Sequence, residues 1–272
     1  MTLTCMGVGG CLAIAGLQVQ TITNNPLSSP YTLGISSGAS FGAAIAIVTG
    51  ISICGFQWIG TALTAFAFAL FVTMTIFVLG RLKRMSAHTL VLIGIVMNFF
   101  FSALQQYLQY SASAEIAQII SNWTFGNLSR ASWTSAGVGL IATALGMLFF
   151  AGISWKLTAF SAGEERAKSL GIQVERLKMA VFLASSLLIA AAVGFIGTVG
   201  FVGLVAPHCA RLLVGEDQRY LMPTTTMFGM VVMLAASTVS KLLSEGSMLP
   251  VGIITSIVGV PFLFVLLMRE VK

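Results

Sequence analysis

Acid and histidine are scarce in this chain. Eight Asp and Glu and two His stand against fourteen Lys and Arg in 272 residues. The two histidines, His88 and His208, lie in different halves of the sequence, so no HExxH zinc site can form. A GxxxxGK[ST] phosphate loop and a GxSxG nucleophile elbow are also missing. These absences leave no constellation for hydrolysis and no resident cofactor. Cysteine is just as uninformative: Cys5, Cys11, Cys54 and Cys209 sit among apolar neighbours without CxxC spacing, as small buried hydrophobes do, and not as a disulfide or metal set.

Charge itself is rare. Charged residues make up 8% of the chain and hydrophobic ones 57%, whereas a soluble domain carries about 25% charged residues. The composition excludes a soluble fold and predicts an all-α integral membrane protein, a single transmembrane domain over 1–272. A span needs about 20 apolar residues. The net charge of +6 is dispersed through short loops, a pattern of topology signals and not of a nucleic-acid surface. Residues 1–17 carry no charge and run into NNPLSSP, so the start reads as part of a spanning helix and not as a signal peptide.

About nine apolar segments follow in order. Residues 1–23 are closed by Asn24, Asn25, Pro26, Ser28, Ser29 and Pro30. Residues 33–50 repeat Gly34, Gly38 and Gly42 at four, a close-packing face. Their Ser36, Ser37 and Ser40 either line a path or bond within the bundle. Span 57–80 ends at Arg81, Lys83 and Arg84, and span 88–110 carries Asn98, Gln105 and Gln109. The last two face either a pore or an interfacial aromatic belt. Residues 111–132 predict a short interfacial helix plus a turn, and 133–154 spans again.

Residues 155–178 are the most charged stretch. Ser161 followed by Glu164 has capping-box spacing, which predicts a short helix after Ser161 that stops at Gly171, with a second helix from about Gln173. The long apolar run beyond it is interrupted by Gly194, Gly197, Gly200 and Gly203. Each interior glycine weakens a helix by about 1 kcal/mol relative to alanine. A crossing over 179–199, a break near Gly200 and a short helix over 201–214 containing Pro207 are therefore expected. Spans 224–243 and 251–268 complete the count. Twelve of the fourteen cations fall at 81–84, 156–178, 211–219 and 269–272, which should be cytoplasmic together with the C-terminus. No Asp or Glu sits inside a span. Ion-coupled carriers place carboxylates there, so energy for transport would come from a partner.

The stretch GFIGTVGFVGLVAPHCARLLVGEDQRYLMP at 194–223 resembles the signature of the permease subunits of ABC importers for iron–siderophore, haem and vitamin B12, the FecCD or type II importer family. NPLSSPYTLGISSGASFG at 25–42, SAGEERAKSLGI at 161–172 and LPVGIITSIVGVPFLFVLL at 249–267 resemble further family motifs in the family's order. The resemblance implies the vitamin B12 importer permease fold, with ten spans per subunit. It also implies pairing with a second permease as homodimer or heterodimer, two ABC ATPase subunits holding ATP and Mg, an extracytoplasmic substrate-binding protein, and a multi-pass place in the bacterial cytoplasmic membrane.

Residue by residue, it maps ATPase coupling onto Ser161, Gly163, Glu164, Glu165, Arg166, Ala167, Leu170 and Gly171. Signature positions are Asn25, Pro26, Gly200, Gly203, Pro207, His208, Arg211, Asp217, Arg219 and Pro223. His208 and Arg211 share a helix face and read as anchors of a short helix, bonding loop carbonyls, since one histidine makes a poor metal site. The translocation path is assigned to Ser36, Ser37, Ser40, Asn98 and Gln105. Two departures stand out. The chain starts within what would be the family's second helix, so the first helix and an Arg-Leu-Pro-Arg-like docking stretch are not in the sequence. Ser237 and Lys241 stand where the family tends to have Asp and Arg. Lys241 keeps a cation for binding-protein docking without arginine's bidentate fork.

Overall fold

A computed structural model describes residues 1–53, 55–82, 87–244 and 249–270, with the side chains at 87, 88, 265–267, 269 and 270 left undescribed. Cys54, Lys83, Arg84 and Lys272, and the side chains of His88 and Arg269, used above, lie outside the described residues. The described chain forms twelve α-helices and one 3-10 turn. They are α1 Thr2–Thr23, α2 Ile35–Thr49, α3 Gln57–Leu82, α4 Ala87–Ser111, α5 Ala114–Thr124, the 3-10 turn Leu128–Arg130 and α6 Trp133–Gly152. Then come α7 Ser154–Ser161, α8 Glu164–Ser169, α9 Val174–Ile196, α10 Val202–Val214, α11 Gln218–Leu243 and α12 Val251–Glu270. Six helices are long and apolar enough to cross a membrane, and α2, α10 and Val251–Phe264 of α12 are shorter apolar helices. These nine match the nine segments expected, and the protein is a multi-pass membrane protein.

The bundle is assembled around α1. A helix that is apolar on every side belongs in the interior, and 83% of the apolar window of α1 is buried. Its glycines explain how so many neighbours reach it. Gly7 meets Gly139 of α6, Gly9 meets Gly229 of α11 and Gly16 meets Gly203 of α10, backbone against backbone. A Cβ on Gly16 would stand 1.9 Å from the Gly203 carbonyl oxygen, and one on Gly9 2.3 Å from that of Gly229. In lipid, where apolar surface gains little from being hidden from lipid tails, such close approach is what holds helices together. Gly38 and Gly42 of α2 pack on α3 in the same way, while Gly34, at φ +73°, precedes α2 and abuts the Asn98 backbone of α4.

Two short helices mark where irregular backbone enters the bundle. At about 1.5 Å per residue α2 and α10 reach only some two-thirds of a bilayer core. The non-helical chain before α10 is largely buried in protein and that before α2 partly so, at 28–30 and 33–34, the setting in which such backbone is tolerated at membrane depth. Before α2, the Asn25 side chain accepts from the Leu27 N–H at 2.9 Å, making the turn at Pro26, and Ser28 and Ser29 are buried.

The break before α10 begins earlier than Gly200. The helix α9 stops at Ile196 because Gly197 takes φ +83°, where a Cβ would lie 1.8 Å from the Trp123 carbonyl oxygen. Phe201, at φ +66°, begins α10 with its ring against Gly259 of α12.

The capping box expected at Ser161 does not form. Ser161 is the last residue of α7, and its hydroxyl donates back to the Leu157 carbonyl at 2.9 Å. A serine near a helix end can satisfy its own preceding turn as readily as cap the next one. Glu164 then becomes the first residue of α8, started by Gly163 at φ +120°. The stop at Gly171, at φ +77°, and a second helix after Gln173 are as expected.

Candidate coupling and translocation site

Helices α7 and α8 form a short projecting unit at one end of the bundle. Phe160, Leu157, Ala167 and Ile172 are buried beneath it, whereas Glu165, Arg166, Leu170 and Gly171 face outward. Of the eight coupling residues expected, these four make the exposed surface. Ala167 is an anchor, Ser161 and Gly163 shape the turn, and Glu164 is the tether. Its carboxylate takes Lys168 at 3.0 Å, one turn on, and Lys178 of α9 at 2.8 Å. The Lys178 side chain is only 1% exposed, with its ammonium 5.5 Å from the Phe160 ring centre. Burial by itself would raise the Glu164 carboxyl, but hydrogen bonds from Lys178 and Lys168 hold it below the ordinary carboxylate value. A buried lysine paired to a partly exposed carboxylate ties α8 to α9.

The start of α11 lies at the same end. Asp217 caps it, accepting from the Arg219 N–H at 3.0 Å, and pairs with the Arg219 guanidinium at 2.6 Å. That hydrogen bond keeps the Asp217 carboxyl below its ordinary value. The Gln218 N–H donates to Thr158 of α7 at 3.1 Å, so the 211–219 turn and the α7–α8 unit are joined directly.

The opposite end carries a cleft of about 970 Å³, lined by Phe56, Trp58, Trp123 and Phe195 with Glu115 and Arg130. Lys241, in the last turn of α11, is exposed at this end too. Here segments 124–127, 196–198 and 251–252 are knotted together. The Asn127 N–H donates to the Ile196 carbonyl at 2.7 Å, the Val251 N–H to that of Gly126 at 2.9 Å, and the Thr198 hydroxyl to that of Thr124.

The sequence pattern of the FecCD transport family matches residues 1–269. The chain belongs to this family. Among relatives, it is 38% identical over 272 aligned residues to an ABC transporter permease protein of Methanocaldococcus jannaschii, covering 97% of this chain and 78% of that protein. It is 33% identical to the iron(3+)-hydroxamate import system permease protein FhuB of Bacillus subtilis, with 97% and 68% covered. Its fold superimposes on a metal-chelate type ABC transporter in an inward-facing conformation with a TM-score of 0.89 and 32% identity, covering 98% of this chain and 84% of the other. FecCD proteins are membrane permeases of ABC importers, which work with ATPase subunits and a permease partner.

In this FecCD permease the five residues expected on a path lie on two helices, Ser36, Ser37 and Ser40 on α2 and Asn98 and Gln105 on α4. Ser36, Ser37 and Ser40 are buried, and Ser37 donates to Asn98 across to α4. The Gln105 amide donates to Thr124 of α5 at 2.8 Å, and Gln109 donates to Ser121 at 2.7 Å. Both glutamines thus hold α5 against α4 within the single chain. Exposed on α4 instead are Leu92, Val96, Phe99, Phe100, Tyr107 and Tyr110.

The signature residues separate as well. His208 stands edge-on to Phe262 of α12, 5.5 Å between ring centres, whereas Arg211 turns to Gln20 of α1 and to Glu216 at 3.3 Å. They anchor α10 to two different helices, and Arg211 bonds side chains where loop carbonyls were expected. Gly200 lies 3.9 Å, measured from an added Cβ, from the Ser256 hydroxyl, while Pro223 falls early in α11. Sequence reasoning missed Gln18, Gln20 and Gln218, which are almost fully buried at the α7–α8 end. The available signal was an uncharged polar pair, Gln18 and Gln20, inside an apolar run.

Proposed function

We propose that this chain is one of two transmembrane subunits of an ATP-driven importer for an iron–siderophore or a related metal chelate, working by alternating access. ATP and Mg belong to two ABC ATPase subunits that dock on the α7–α8 unit, with Glu165, Arg166 and Leu170 as the outer contact and Glu164–Lys178 as the tether. That end, with the C-terminus, faces the cytoplasm, and the chain crosses the cytoplasmic membrane. A substrate-binding protein docks on the opposite face, where Lys241 offers a cation. The second permease packs along the exposed face of α4, with Asn98 at the path. Ser36, Ser37, Ser40 and Gln105 support that path from behind.

The observation that carries this reading is the α8 surface. Charged residues and an exposed leucine project from the bundle while a buried lysine holds them in place. The substrate class is supported by what the Bacillus subtilis relative and the superimposed transporter are named for. Replacing Glu164 and Arg166 together is expected to abolish uptake of ferric hydroxamate while membrane levels stay unchanged, and deletion of 163–171 is expected to abolish co-purification with the ATPase. Normal uptake by the double variant, or retained ATPase in the deletion, contradicts the assignment.

A further inference from the structure

In an α-helix the carbonyl of each residue accepts from the N–H four residues later. The carbonyl of Gly203 should therefore bond the N–H of residue 207, but residue 207 is proline and has none. Gln20 of α1 fills that place: its side-chain amide donates to the Gly203 carbonyl at 3.4 Å. The oxygen of the same amide accepts from the Arg211 guanidinium. Arg211 is one turn beyond Pro207, and helical side chains lean toward the N-terminus, so its long arm reaches back across the proline. One glutamine of α1 thus bridges both sides of the proline site in α10, directly beside the Gly16–Gly203 backbone contact.

The bridge is connected to the coupling unit. Gln218, at the start of α11, donates its backbone N–H to Thr158 of α7 at 3.1 Å. Its side chain donates to Thr21 of α1 at 3.0 Å and accepts from Gln18 at 3.2 Å. One turn of α1, from Gln18 to Thr21, therefore holds α7 and α11 through Gln218, and α10 through Gln20. At its far side α10 bears on α12 through Phe201 against Gly259 and His208 against Phe262.

We infer that Gln20 is a positioning residue for transport: it locks α10 to α1 across Pro207, so that a displacement of α7 and α8 is delivered to α10 and α12 and is not absorbed by bending at the proline. The lock itself is independent of the ATPase-driven reading above, while its role in transport rests on it.

The decisive comparison is Gln20→Leu against the double variant Gln20→Leu with Pro207→Ala, each full-length in lipid nanodiscs. P207A restores a backbone N–H for the Gly203 carbonyl. Amide hydrogen exchange in 204–214 is expected to rise about tenfold or more in Q20L, with α3 and α6 unchanged, and to return to within about threefold of the parent in the double variant. If Q20L does not accumulate, recovery of folded protein by P207A is the same test. Unchanged exchange in Q20L, loosening spread evenly over all helices, or failure of P207A to rescue would overturn the lock.

With the ATPase subunits bound, spin labels at residues 168 and 212 report the relay. Vanadate trapping should shift their separation in the parent and the double variant but not in Q20L. An identical shift in Q20L overturns the relay. A parent chain that captures no ATPase at all overturns the proposed function, while the exchange result still decides the lock.

Discussion

At the α7–α8 end, Lys178, Gln18, Gln20 and Gln218 are buried and bonded to partners on other helices. At the opposite end, Glu115, Arg130 and Lys241 stand exposed, the first two around an open cleft. Both ends carry exposed charges, Glu165 and Arg166 among them at the first, but the first also buries a layer of bonded polar side chains beneath them. Buried amides and a buried ammonium are costly unless bonded, so where they are bonded they fix geometry. Exposed charges fix little and remain available to a visitor. The buried polar layer of the first end holds helices in register, whereas Glu115, Arg130 and Lys241 at the second hold no such layer together.

The largest expected effect tests the scaffold common to both ends. Gly16→Ala places a methyl group 1.9 Å from the Gly203 carbonyl oxygen. It should cost about 3 kcal/mol or prevent folding. Gly137→Ala, with open space around it, should stay within about 0.5 kcal/mol. Thermal unfolding in detergent distinguishes them, and equal losses would mean that glycine contacts do not organise the bundle.

Next comes the tether. Glu164→Gln should cause a several-fold loss of ATPase co-purification without lowering membrane levels. The pH dependence has a definite sign, because the Glu164 carboxyl is depressed in the folded protein. Its stabilising contribution is complete above the ordinary carboxylate value of about 4.3 and is lost as pH falls through the lowered one. Association should therefore be flat down to about pH 5 and weaken below about pH 4 in the parent, and E164Q should remove that step. An unchanged acid profile in E164Q would assign the effect to another group.

The smallest effect belongs to the open end. Arg130→Gln and Lys241→Ala should each shift stability by no more than about 0.5 kcal/mol. Only Lys241→Ala should weaken capture of the binding protein in a pull-down. A large loss of stability in either would erase the contrast between the ends.

The sequence made the nine apolar helices legible because lipid imposes a long, uncharged run on anything that crosses it, and the cations mark the gaps. The short helix α5 and the 3-10 turn were legible for the opposite reason, because 111–132 is a polar stretch between apolar runs. What stayed hidden depended on a choice between partners that local sequence leaves open. Ser161 could cap forward or bond backward, and the Leu157 carbonyl was closer to hand. The break moved from Gly200 to Gly197 because the Trp123 carbonyl leaves no room for a side chain there, a contact made across more than seventy residues. Gln20 was passed over because glutamine is a good helix former and carries no charge. Its significance appears only when Gly203 and Pro207 are brought beside it. Asn98, by contrast, is visible in the sequence as a polar residue inside an apolar run, but its partnership with Ser37 again needed the fold.

On the proposed reading, the α7–α8 unit is the face that meets the ATPase. A photo-crosslinking amino acid placed in turn at 166, 170, 133 and 241 in the intact membrane tests it most directly. Crosslinks to an ABC ATPase are predicted from 166 and 170 and from neither 133 nor 241. ATPase crosslinks from 133 or 241, or none from 166 and 170 in cells that transport, would contradict it.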